Sequence, residues 1–101
     1  MELTDDAIIK CHLHGDTATL ELFTEAGEKV FTLEAYTEEL SDFWHDFEAD
    51  GVSWKLNFFD NTGEEGFETG CWLYASDDDD YSPAINVEVY DENDKLIRTN
   101  S

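Results

Sequence analysis

Hydrophobic and polar positions alternate with a period of two along most of this chain, and one stretch departs from that rhythm. Residues 37–51, TEELSDFWHDFEADG, place Leu40, Phe43, Trp44 and Phe47 at i, i+3, i+4 and i+7, the spacing of one face of an α-helix. Thr37 suits the N-cap, and Asp50-Gly51 suits a stop with glycine at C′. At about 100° per residue, Glu38, Glu39, Asp42, Asp46 and Asp50 fall in an arc of roughly 120° opposite the apolar stripe. The pattern predicts one amphipathic helix, apolar on the face that packs and acidic on the other.

The flanking segments read as strands. Residues 7–14 put Ile9, Cys11 and Leu13 on one face and Lys10, His12 and His14 on the other. Gly15-Asp16 turns the chain, residues 17–24 return with Ala18, Leu20 and Leu22 aligned, and residues 29–35 carry Phe31 and Leu33 inward. These three strands predict an antiparallel meander that feeds the helix.

After Gly51, Trp54, Leu56 and Phe58 share a face within 52–59. A polar loop is expected over 60–66. A strand over 67–75 then sets Phe67, Cys71, Leu73 and Ala75 against Trp72 and Tyr74, with Gly70 as a candidate bulge. An alternating strand with Ile85, Val87 and Val89, a turn at Asp91-Glu92-Asn93-Asp94 and a short strand around 96–98 close the chain. The expected fold is a single α+β domain over 1–101, ordered β-β-β-α-β-β-β-β, with the helix across one face of an antiparallel sheet.

Charge changes the picture more than length does. Asp and Glu number 26 against 5 Lys and Arg, a formal net charge of -21, while an aromatic content of 14% argues for a packed core. Self-repulsion on this scale destabilises a compact state, so stability alone gives no reason for it. Carboxylates repel phosphate, which excludes direct binding to nucleic acid or to an anionic membrane and makes a basic protein the natural partner. With no apolar run of membrane-spanning length and no basic-then-apolar N-terminus, neither a span nor a signal peptide is expected. Cys11 and Cys71 fall on apolar strand faces, as buried free thiols do in a reducing cytoplasm.

Candidate chemistry is sparse. His12, His14 and His45 lack the spaced partners of a zinc site and are expected at the surface. The run Asp77, Asp78, Asp79, Asp80 resembles the start of a calcium loop, but Ser82 occupies the position where such a loop needs glycine. There is no nucleophile elbow or glycine-rich phosphate loop, and a continuous solvated field of carboxylates is not a cleft with a few perturbed groups. No enzyme, metal or cofactor is expected.

The acidic surface itself remains. On a helix, Glu38 to Asp50 spans roughly 18 Å and carries six carboxylates. That is about one per 3 Å, near the 3.4 Å per charge of one DNA strand. Asp77, Asp78, Asp79 and Asp80 and the acidic turns at 60–68 and 91–94 extend the field.

The second half resembles the phage uracil-DNA glycosylase inhibitor, a small acidic α/β mimic of DNA. The shared residues are Phe58-Phe59-Asp60, then an acidic loop, then Ser76-Asp77-x-x-Asp80-Tyr81-x-Pro83, a valine-bearing strand and the acidic turn Asp91-Glu92-Asn93-Asp94. The likeness covers about the last 45 residues and implies the class of phage DNA mimics that includes anti-restriction and anti-CRISPR proteins.

The expected function is therefore a non-enzymatic inhibitor in the cytoplasm of a host bacterium, monomeric or dimeric. It would occupy the basic surface of a nuclease, glycosylase or CRISPR effector through Glu38, Glu39, Asp42, Asp46, Asp50 and the 77–80 aspartates. The alternatives are an immunity protein or antitoxin against a basic nuclease toxin, and a salt-adapted domain whose acidity only solvates it.

Overall fold

The computed structural model describes residues 3–63, 66–76 and 83–100. Two β-sheets pack face to face. The first, in the order β3-β2-β1-β7-β8, contains β1 (Ile8–His14), β2 (Thr17–Phe23), β3 (Lys29–Tyr36), β7 (Asn86–Tyr90) and β8 (Leu96–Thr99). The second, in the order β4-β5-β6, contains β4 (Phe43–Ala49), β5 (Val52–Gly63) and β6 (Gly66–Ala75). The predicted meander of the first three strands is present, with Cys11 opposite Leu20 and Leu20 opposite Leu33.

The α+β expectation is wrong in its one helix. Among the described residues, helical structure is confined to a single 3-10 turn at Thr37–Glu39, and the rest of the expected helix is largely strand β4. Phe43, His45, Phe47 and Ala49 alternate with exposed Trp44, Asp46 and Glu48, and β4 pairs with β5 from Phe43 opposite Phe58 to Ala49 opposite Val52. Asp50 and Gly51, at φ 54° and 75°, form the two-residue hairpin turn between them. Asp-Gly has a strong preference for type I′ turns, whose twist matches that of paired strands. The same dipeptide that can end a helix here reverses a strand. Thr37 is not an N-cap either: its Oγ1 and N–H both donate to the carbonyl of Asp16, at 3.2 and 2.9 Å.

Three smaller expectations are also corrected. The polar loop over 60–66 is mostly hairpin, since β5 runs to Gly63 and β6 starts at Gly66. Gly70 marks no bulge, because β5 and β6 pair in unbroken register. It lies opposite Phe59, whose Cζ would stand 2.5 Å from a Cβ at that position. The missing side chain makes room for a ring. Finally, the first sheet is mixed, because β7 lies parallel to β1.

The core lies between the sheets. Ile9, Cys11, Ala18, Leu20, Leu22, Val87 and Val89 face Trp54, Leu56, Phe58, Cys71 and Leu73, all buried. Each strand turns its other face to solvent, as period-two alternation requires. Just before β7, Ala84 pairs with Trp72 of β6 in an isolated antiparallel bridge, flanked by the Leu73 N–H to Pro83 O bond and the Ile85 N–H to Cys71 O bond at 2.9 and 3.0 Å. Both thiols are free and buried. Burial pushes Cys11 up to about 12 and Cys71 higher still.

Candidate functional site

The outer face of the three-stranded sheet is where acidic and aromatic side chains meet. Pairing register builds it row by row. Trp44, Asn57 and Trp72 form one row, and Asp46, Lys55 and Tyr74 the next; Glu48 and Ser53 stand opposite one another in a third. Trp44, Trp72 and Tyr74 are 49%, 41% and 37% exposed. The Trp44 and Tyr74 rings reach over β5 and stack with centroids 5.9 Å apart and planes inclined by 23°. Large exposed aromatics gathered on one face and rimmed by polar groups mark an interaction surface more often than chance exposure.

Two shallow hollows flank this aromatic row. One, of about 500 Å³, is lined by Glu38, Glu39, Ser41, Asp42, Phe43 and Trp44. The other, of about 590 Å³, has Asp46, Glu48, Lys55 and Tyr74 among its walls. Asn57 Nδ2 donates to Asp42 Oδ1 at 2.9 Å and to Phe43 O at 3.3 Å, which ties Asp42 to the face rather than leaving it in the preceding turn.

The sequence-predicted residues are thus partly gathered and partly dispersed. Glu38, Glu39 and Asp42 share the first hollow with Trp44, and Asp46 belongs to the second. Asp50 sits at the β4–β5 hairpin tip. Asp77, Asp78, Asp79 and Asp80 lie outside the described residues. The continuous helical wall does not exist. Same-face residues on a strand are roughly 6.7 Å apart, so the carboxylate density along β4 is about half that of one DNA strand. What reading the sequence as a helix missed is the exposure of Trp44, placed in the buried stripe, and its alignment with Asp46 and Glu48 on one side of β4. Trp72 and Tyr74 were legible on the outward side of their strand.

The histidines, expected at the surface, divide. His14 is exposed. His45 is half-buried, packed edge-on against Phe31 at 4.9 Å and stacked near Phe43 and Phe47. His12 is half-buried, stacked on Tyr90 at 4.9 Å, with Glu21 and Asp94 each 3.5 Å from one of its ring nitrogens. The Tyr90 hydroxyl donates to Glu88 at 2.7 Å, and that bond raises its pKa. Among the described residues, no three His, Cys, Asp or Glu side chains converge as a metal site, and no helix is long and apolar enough to cross a membrane.

No family model matches the chain, and neither a curated protein nor a solved structure matches it.

Proposed function

We propose that the protein is a non-enzymatic inhibitor that covers the basic nucleic-acid-binding surface of another protein. The target class is a nuclease, a DNA-repair glycosylase or a CRISPR effector, and the setting is phage anti-defence in the host bacterium's cytoplasm. The observation that carries this reading is the outer face of β4-β5-β6, where Asp42, Asp46 and Glu48 stand around exposed Trp44, Trp72 and Tyr74. Acid alone would serve solvation. Acid placed around exposed aromatic rings serves adhesion, because the rings add apolar burial at the centre and the carboxylates steer a basic partner to it.

The reading departs from strict mimicry of a phosphate backbone, since the carboxylate spacing along β4 is too wide for it. A folded basic groove can still be occupied by a less dense field when apolar contacts contribute. The test is capture from a bacterial lysate, with elution by rising salt and competition by duplex DNA. The expected partner is a nucleic-acid-binding protein held at about 50 mM salt, released by about 500 mM and displaced by DNA. A partner retained equally at both salts and indifferent to DNA overturns the reading.

A further inference from the structure

Resting on that reading, we infer that the outer face of β4-β5-β6 receives arginine side chains of the partner, with a guanidinium stacked on Trp44 or Trp72 and forked into neighbouring carboxylates. Three observations point there. Three of the chain's exposed large hydrophobic side chains occupy this one face, in two adjacent cross-strand rows. The first row continues into Asp42 through Asn57, and the second contains Asp46. Of the chain's 5 cationic residues, Lys55 alone belongs to this sheet, between Asp46 and Tyr74, so the carboxylates of Asp42, Asp46 and Glu48 outnumber the one resident cation and leave the face net negative.

The chemistry selects arginine over lysine. A guanidinium is planar and weakly hydrated, so it lies on an indole face while its N–H groups fork into a carboxylate. An ammonium is a strongly hydrated point charge that gains little from stacking. A nucleic-acid-binding surface is rich in both, so a charge-only face would take either. Trp is also the strongest of the aromatic side chains as a partner for a cation. A second copy of this chain is a poor occupant, because a face-to-face pair would bring Asp46 and Glu48 of one molecule against the same acidic surface of the other.

The experiment compares two hexapeptides of equal charge, one alternating arginine with glycine and the other lysine with glycine. Binding to the full chain is followed by the indole N–H resonances of Trp44, Trp72 and Trp54. Trp54 is buried and borders the second hollow, so its resonance separates stacking on the exposed rings from entry into that hollow. The expected result is roughly tenfold tighter binding of the arginine peptide, with shifts at Trp44 and Trp72 and little at Trp54. Trp44→Ala should abolish the preference and Trp44→Phe should keep part of it. If Trp44→Ala fails to fold, the wild-type indole shifts decide alone.

Equal binding of both peptides, each lost on adding salt, overturns this inference and leaves the acidic-inhibitor reading standing. Binding of neither peptide at low salt overturns both. Shifts of the same indoles by a β-linked glucose hexamer and not by either peptide assign the face to a glycan and overturn the inference, as does concentration-dependent self-association through Trp44.

Discussion

Arg98 and Asp60 form a two-pronged ion pair that joins the sheets. Nε donates to Oδ1 at 2.8 Å and Nη2 to Oδ2 at 2.7 Å, across the gap between β8 and β5. Asp60 extends the inward alternation of Trp54, Leu56 and Phe58, and its side chain is only 5% exposed. Thr69 Oγ1 adds a third donor at 2.8 Å, while the Asp60 N–H bonds Leu40 O at 2.7 Å. In a chain of net charge -21 this carboxylate is structural, unlike those on the outer face.

Removing one partner of such a pair strands a buried charge, so Asp60→Asn should lower the unfolding free energy by about 3–5 kcal/mol. The double replacement Asp60→Leu with Arg98→Met should lose far less than either single change, because it removes both desolvated charges together. Urea titrations of the three variants measure this. Equal losses for the single and double variants would show that shape, and not charge pairing, holds the two sheets at this point.

The thiols predict an alkaline limb. Cys11 is raised from 9.0 to about 12 and Cys71 is raised further, both first by burial. Unfolded thiols therefore lose protons that folded ones keep, so their contribution to stability is intact below about pH 9 and falls as pH rises through the folded values. Each thiol contributes a slope of about 1.4 kcal/mol per pH unit in that window. Denaturation at pH 7 and pH 10, with the Cys11→Ala and Cys71→Ala variants as references, should show stability falling at the higher pH. It should also show iodoacetamide modifying the wild type only after unfolding.

Asp50 separates the hairpin from a helix end. Its φ of 54° is left-handed, which an L-residue without a short polar side chain adopts at a cost of about 1–2 kcal/mol. Asp50→Ala should cost that much, whereas Asp50→Asn should stay close to wild type because Asn-Gly suits the same turn. Thermal melts distinguish the two. A stabilising Asp50→Ala would favour a helical residue at this position.

Trp44 and Phe58 should now diverge, though both are large aromatics on paired strands. Phe58 is fully buried, and Phe58→Ala should cost about 3–5 kcal/mol. Trp44 is 49% exposed, so Trp44→Ala should cost less than half as much while weakening partner binding. Denaturation of both variants, paired with binding, checks the assignment of Trp44 to the face.

Most strands were legible because each buries one face, and alternation then reports pairing directly. The residues 37–51 satisfied two periods at once. Leu40, Phe43, Trp44 and Phe47 fit a helix, while Phe43, His45, Phe47 and Ala49 fit a strand, and the difference turned on treating His45 as polar and Trp44 as core. Pairing with β5 decides it, since the backbone of a strand carrying Trp54, Leu56 and Phe58 needs a neighbour on the β4 side as well as at β6. That is a long-range demand which a local window does not contain. The parallel pairing of β1 with β7 was hidden for the same reason. The acidic character of the site was visible in composition, but its organisation around Trp44, Trp72 and Tyr74 was not, because it depends on the register of three strands.

The most direct measurement asks whether acidity acts at one face or everywhere. Two variants lose the same amount of charge. One carries Asp42→Asn, Asp46→Asn and Glu48→Gln on the outer face of β4-β5-β6. The other carries Glu25→Gln, Glu34→Gln and Glu92→Gln, all exposed and all in the first sheet or its turns. Each is used to capture the DNA-displaceable partner from a bacterial lysate at about 50 mM salt, where exposed charges are weakly screened. The outer-face variant should stay folded and lose the partner, while the other keeps it. Equal loss by both would mean that the acidity acts only through net charge, and retention by the outer-face variant would mean that this face is not the binding site.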